Sequence, residues 1–530
     1  MTKHSLFILV NLCLLLTSLH AQPVRLVKDI TPGTGSTFSS DFTPTDDGII
    51  SAFGNSILFI VKDADQHFNL WVSDGEEDGT YPLHGLSDGE KFNGFINADD
   101  DHFYYVVETD AGSFLYSLSK STLDTIQVYA NPEEINYLTY LNGQLYFEVE
   151  DALITVDPNS QVSKLVYQFG SFRSIRDIGV LNDGLILIGG ESNGTELYSS
   201  DGTTAGTKAF YQLNSGSEFS GDYYMTEVDG QLFFFYNKPS EPYVLYVTDG
   251  TKAGTKPLIE LERITFINLE KGRSIIGWEG RLFFRGRALG NGSNQDELFV
   301  SDGTVAGTFK IDINNEWSKP AFFTPYNGEL YFMADEYGYV FNVFKTDGTQ
   351  AGTVRAIDPW DLGSGNSFGG NFMVEHNDSL YFYADRSAVG QELWVSGVST
   401  SSTSCIDIVP GSGSSVPTQM TSTDNYLFLI YHSEEFGKEL FVLDPPTSGT
   451  QDVLSEGIRL YPNPFTDHVM IDLASKNDNW FLEILDLDGK TVFGQAVQEG
   501  KVDLPDVPAG MYFAVLQKDG FVFARRLMKL

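Results

Sequence analysis

The apolar positions of this chain come in short runs without helical spacing. Leu330-Tyr331-Phe332 is typical: three neighbours are apolar where a strand with one wet face would alternate. Leu145-Tyr146-Phe147 and Leu232-Phe233-Phe234 repeat the pattern, and the three runs follow the tight-turn pairs Asn327-Gly328, Asn142-Gly143 and Asp229-Gly230. Such strands need cover on both faces. Such a run lies upstream of each copy of a second recurring strand and turn. ELFVSDGTVAGT (297–308) is its clearest copy, echoed closely by ELYSSDGTTAGT (196–207), VLYVTDGTKAGT (244–255) and NVFKTDGTQAGT (342–353), and by NLWVSDGEEDGT (69–80) with a changed turn. ELWVSGVSTSST from Glu392 and ELFVLDPPTSGT from Glu439 keep the strand and lose the Asp-Gly.

The second position of the upstream turn falls at 143, 184, 230, 280, 328, 378 and 425, a period in the forties that marks stacked or radially arranged units. Weaker units around Ser56-Ile57-Leu58-Phe59 and His102-Phe103-Tyr104-Tyr105 raise the count to nine, or to eight if an early unit merges with its neighbour. Each unit holds four antiparallel strands, the content of a propeller blade. The expected fold is therefore all-β, with a large β-propeller of eight or nine four-stranded blades. DITPGTGS (29–36) matches DIVPGSGS (407–414), the segment that ends one repeat and begins the next, so the chain starts mid-repeat. The last ELF strand lacks a good following strand, and Val24 to Ile30 is the segment expected to complete that blade and close the ring.

Expected boundaries are a secretory signal at 1–21, a propeller at 22–444, a polar linker at 445–457 and a small C-terminal β-sandwich at 458–530. The signal rests on Lys3 and His4 followed by an apolar run, Leu6 to Leu16, too short to span a bilayer. Cleavage is placed between Ala21 and Gln22, which leaves one cysteine, Cys405, and excludes an intrachain disulfide. A formal charge of −39 opposes binding to nucleic acid, whose affinity needs Lys and Arg on phosphates. The same acidity would attract calcium without defining a site.

After residue 457 the pattern changes. LYPNPF (460–465), LDLDGKTV (485–492), LPDVPAGMYF (504–513) and the basic end RRLMKL fall in order. This segment resembles the C-terminal sorting domain of the type IX secretion system of Bacteroidetes-type bacteria. The resemblance covers 458–530, with Tyr461, Pro462, Asn463, Pro464, Asp488, Gly489, Lys490, Gly510, Tyr512 and Lys529 as motif positions. It implies export across both membranes, the type IX machinery as a partner, and a secreted or outer-surface location. The body resembles the bacterial ELWxSDGTxxGT, or hyalin-like, repeat proteins, a resemblance that assigns no activity.

Candidate chemistry is sparse. Asp74, Asp201, Asp249, Asp302 and Asp347 recur at one place in the repeat and suggest calcium, but Asp also caps a turn through its own backbone, which is the structural reading adopted. Asp486-Leu487-Asp488-Gly489 is half a calcium loop without a downstream acid, so it reads as a plain hairpin turn. Asp99-Asp100-Asp101 reads as a solvated turn. The recurring aromatics Trp71, Tyr198, Tyr246, Phe299, Phe344, Trp394 and Phe441 read as core between blades. Gly365-Asn366-Ser367-Phe368-Gly369 matches a nucleophile elbow but opens no helix, and the histidines show no metal spacing. No catalytic residue, metal ligand or required cofactor is assigned. Three functions remain: a noncatalytic protein binding an extracellular polymer or protein, a polysaccharide-degrading propeller enzyme, and a structural surface or gliding component.

Overall fold

A computed structural model describes residues 24–38, 48–62, 67–87, 90–97, 101–170, 175–191, 194–215, 224–238, 241–264, 274–290, 296–313, 318–335, 341–357, 372–386, 390–397, 402–406, 408–409, 414–415 and 417–443 of the body. Of the C-terminal part it describes 459–461, 468–472, 480–485, 490–497, 500–504, 507–508, 510–518 and 521–529. The signal and its Ala21/Gln22 cleavage point, the linker, Asp99, Asp100, the 365–369 segment, Pro462 to Pro464, and Asp488-Gly489 lie outside the described residues. The chain divides into two compact bodies, Met1–Asp444 and Pro445–Leu530.

Among the described residues the first body contains no α-helix, and its strands fall into nine antiparallel groups of four. Eight groups take their strands in chain order, at 48–85, 91–131, 136–168, 177–212, 226–264, 275–311, 321–357 and 373–406. The ninth comprises three strands within 417–443 and, at its edge, Val24–Lys28, which pairs antiparallel with Gly437–Leu443. The fifth and sixth groups join through Lys256–Ile264 against Arg281–Ala288. We refer to these as the first to ninth units. Consecutive four-stranded sheets packed face to face form a β-propeller.

The apolar runs are explained by this packing. Leu330 and Phe332 enter a core shared with Phe283 and Leu298 of the sixth unit, while Tyr331 and Met333 enter one shared with Phe382 and Trp394 of the eighth. Alternate side chains thus bury in opposite interfaces, each worth about 1.5–3 kcal/mol when fully covered. Tyr198, Phe299, Phe344, Trp394 and Phe441 all lie in cores between units, and Trp71 and Tyr246 pack against such cores. Between the ninth unit and the first, Phe428 and Val442 share a core with Ile57, Phe59 and Val27.

One sequence expectation is corrected. Gly184 is not the second residue of its turn: the turn is Asn182-Asp183, and Gly184 opens the second strand, paired with Leu181. Asn182 carries the positive φ of 52° that the turn requires, whereas Gly184 shows none. The Asp-Gly pair misleads because Asn-Asp serves the turn equally well.

The second body contains a three-stranded sheet (Arg459–Tyr461, His468–Asp472, Gly500–Asp503) and a four-stranded sheet (Trp480–Leu485, Thr491–Val497, Gly510–Lys518, Phe521–Lys529). Val469 and Ile471 from one meet Leu482, Ile484 and Leu516 from the other in a single core.

Candidate functional site

The recurring turn is built letter by letter from its sequence. In the fourth unit Asp201 Oδ1 accepts hydrogen bonds from Thr203 N at 2.9 Å and Thr203 Oγ1 at 2.7 Å. Ser200 and Thr207 bond through their hydroxyls at 2.7 Å, and Thr207 Oγ1 sits 2.7 Å from the Thr203 carbonyl. Asp249, Asp302 and Asp347 repeat the arrangement with Thr251, Thr304 and Thr349, and Asp74 takes the Glu76 amide at 2.9 Å. The hydrogen bonds from threonine hold the Asp201, Asp249 and Asp347 carboxyls below the usual carboxylate range. All five carboxylates are exposed, and among the described residues no three His, Cys, Asp or Glu side chains converge as metal ligands.

Both glycines of the motif are required. A Cβ at Gly206 would fall 1.9 Å from Asp201 Oδ1, and the same collision recurs at Gly79, Gly254, Gly307 and Gly352. The first glycine has positive φ, 81° at Gly202 and 82° at Gly348, and it also receives a side chain from the preceding unit. A Cβ at Gly303 would lie 2.3 Å from Gln231 Oε1, at Gly348 2.1 Å from Arg281 Nη1, and at Gly75 2.6 Å from the Tyr426 ring. The turn is therefore an inter-unit contact as well as a hairpin.

Sequence reasoning missed the role of the glutamate opening the ELF-type strand. Glu392, fully buried, accepts from the amides of Ile408 (3.0 Å) and Val409 (3.4 Å) and from the Ser415 hydroxyl, all in the segment leading to the ninth unit. Glu439, also fully buried, accepts from the Thr31 amide at 3.2 Å and the Thr37 hydroxyl. Burial pushes the Glu439 carboxyl up to about 7 against the pull of these donors, and Glu297 is raised to about 7 for the same reason. The matching octapeptides at 29–36 and 407–414 were the available signal.

The altered turn of the first unit also has a partner. Glu76 Oε1 pairs with Arg25 Nη2 at 2.6 Å and accepts from Tyr426 Oη at 2.7 Å, while the Arg25 guanidinium lies 5.4 Å from the Tyr426 ring centroid. Lys28 Nζ donates to the Thr80 carbonyl at 2.7 Å.

In the second body Tyr512, buried, donates its hydroxyl to the Pro508 carbonyl at 2.9 Å. Lys529 Nζ, also buried, donates to the Leu504 carbonyl at 2.6 Å, and Gly510 pairs with Lys529 across the final two strands. Tyr461 pairs with Met470 in the smaller sheet, and Lys490 is exposed just before the Thr491 strand. The late proline-glycine motif and the basic C-terminal end are thus tied together. Residues 459–529 match the secretion system C-terminal sorting domain. This sorting domain makes the protein a type IX cargo, exported to the outer cell surface or beyond it through contact with that machinery.

Comparison with the curated proteins gives no match. Among solved structures the chain is similar to the β-propeller domain of the trilobed protease from Pyrococcus furiosus, at 13% identity over 57% of this chain and 96% of that one, with a TM-score of 0.32. It is similar to the Pyrococcus horikoshii acylaminoacyl peptidase at 12% identity and TM-score 0.33, covering 64% of this chain and only 57% of the peptidase. PorZ, a surface component of the type IX secretion system of Porphyromonas gingivalis, is similar at 11% identity over 93% of this chain and 82% of its own, with a TM-score of 0.22. Scores this low carry no inference about activity.

Proposed function

We propose that this protein is a noncatalytic secreted or cell-surface module whose propeller body binds an extracellular polymer or protein partner. One observation carries the reading: an export domain follows a body whose recurring turn aspartates spend one carboxylate oxygen on turn caps, leaving the variable loops and the second carboxylate oxygens to make outside contacts. The body is a ring of nine blades, closed by Val24–Lys28 as the outer strand of the last blade. In support, that strand pairs with Gly437–Leu443, and the ninth and first units share a core. A signal at 1–21 and a linker at 445–457 complete the organisation. The test is a binding screen of the exported protein against arrayed glycans and extracellular matrix proteins. Saturable binding to one class is expected; a screen that stays at background across both overturns the reading.

A further inference from the structure

At the interface between the fourth and fifth units lies a cavity of about 330 Å³, within the size range of small-ligand pockets. Its floor is Leu181, Leu185 and Ile186, and its sides include Asp201, Asp249 and Lys208. Two repeat positions beside it are small: Gly184 has no side chain, and Ile186 stands where Tyr146 of the third unit covers Gly202. In the fifth, sixth and ninth units the residue before the Leu-aromatic run is Gln231, Arg281 or Tyr426, and each covers the turn glycine of the following unit. In the fourth unit that position is Gly184, in the same register: Gly184 pairs with Leu181 as Gln231 pairs with Val228 and Arg281 with Trp278. A Cβ at Gly250 would meet nothing nearer than Leu181 Cδ2 at 3.5 Å.

The sixth unit shows what fills the equivalent place. The Arg281 guanidinium lies over Gly348, 5.7 Å from the Phe283 ring centroid, and close enough to Asp347 to favour its charged form. The matching positions around the cavity are Gly250, Ile186 and Asp249, joined by Asp201 of the fourth unit's own turn. Among the described residues, Oδ2 of Asp201 and of Asp249 takes no hydrogen bond, since Thr203 and Thr251 occupy Oδ1. We propose that this cavity receives an arginine side chain from a partner polypeptide, the guanidinium seating against Asp249 and Asp201 over the apolar floor. The proposal rests on the binding-module reading and names the chemistry of its partner. Lys208 and Lys256 lie near the two carboxylates and partly offset their charge. The incoming group must therefore gain from planar, forked hydrogen bonding, which arginine supplies and lysine does not.

The test is calorimetric titration of the exported protein with acetyl-Gly-Arg-Gly-amide and with its lysine counterpart. Saturable binding of the arginine peptide is expected, about tenfold tighter than the lysine peptide. Gly184→Gln, which places the side chain found in the fifth unit at a position without positive φ, should abolish that binding in a protein that still folds, its Cβ 3.2 Å from the Ser200 carbonyl oxygen requiring only a small local shift. Asp249→Asn tests the same site without filling it and should weaken binding about tenfold. Equal binding by Gly184→Gln, equal affinity for the two peptides, or no binding by the unaltered protein each overturns the assignment. A negative titration beside a positive glycan and matrix-protein screen removes only this site; a negative screen as well removes the binding-module reading.

Discussion

Two places in the body solve one structural problem under different conditions. Between the eighth and ninth units, Glu392 takes the Ile408 and Val409 amides and the Ser415 hydroxyl, the Ser415 amide donates to the Gln391 carbonyl at 2.8 Å, and the Gln391 amide donates to Ser414 Oγ at 3.1 Å. At the other place Glu439 takes the Thr31 amide and the Thr37 hydroxyl, the Thr37 amide donates to the Lys438 carbonyl at 3.0 Å, and the Lys438 amide donates to Ser36 Oγ at 3.0 Å. The bonding is the same, but the first set of partners belongs to one continuous stretch while Thr31 and Glu439 are 408 positions apart. Only the second carries the added Arg25, Glu76 and Tyr426 contact. Where the chain does not hold the connection covalently, side chains hold it instead.

The comparison can be broken most severely through Val27, which is 3% exposed in the core shared by the ninth and first units. Val27→Asp places a charge there and is expected to cost at least about 3 kcal/mol, read as lower denaturant resistance with early proteolysis of the N-terminal strand. Glu439→Ala and Glu392→Ala each strand buried donors and should cost about 2–3 kcal/mol. If the N-terminal strand is as well seated as its continuous counterpart, the two losses agree; a negligible loss at Glu439 alone would show that it is not.

Glu439→Gln sharpens the same point through pH. Its folded pKa of about 7 lies above the ordinary carboxyl value, so the folded state holds the proton more tightly. That contribution is complete below about pH 4 and is lost as pH rises through about 7. The unaltered protein should therefore lose more melting temperature between pH 5 and 8 than Glu439→Gln, which cannot ionise. Parallel pH profiles would remove Glu439 as the source. The smallest effect belongs to Glu76→Thr, which restores the usual repeat residue: about 0.5–1 kcal/mol for an exposed pair. A double-mutant cycle with Arg25→Ala should recover most of that as coupling, and additivity would mean the pair contributes nothing.

The architecture was legible because every unit repeats its apolar runs, so the period and the two-faced strands were visible together. The matched octapeptides pointed for the same reason to two segments that bond alike, one to Glu392 and one to Glu439. Less was legible where a residue's meaning depends on its neighbour in space. Gly184 read as a turn residue because Asp-Gly is a strong local signal, and only the pairing with Leu181 reveals an empty side-chain position. Glu76 read as a mere change of turn because its partners, Arg25 and Tyr426, sit far away in sequence. In the sorting domain, Tyr512 and Lys529 stood out only through motif resemblance. Their partners are the main-chain carbonyls of Pro508 and Leu504, and a carbonyl leaves no mark on residue type.

The pairing of Val24–Lys28 with Gly437–Leu443 also fixes an order of events. Val24–Lys28 is made some four hundred residues before its partner, and the sorting domain at 459–529 is made only after that partner. A chain cut short during synthesis before residue 437 lacks both the partner and the export address. Translation order thereby acts as a length check, so that a chain carrying the address already carries both strands of that pair.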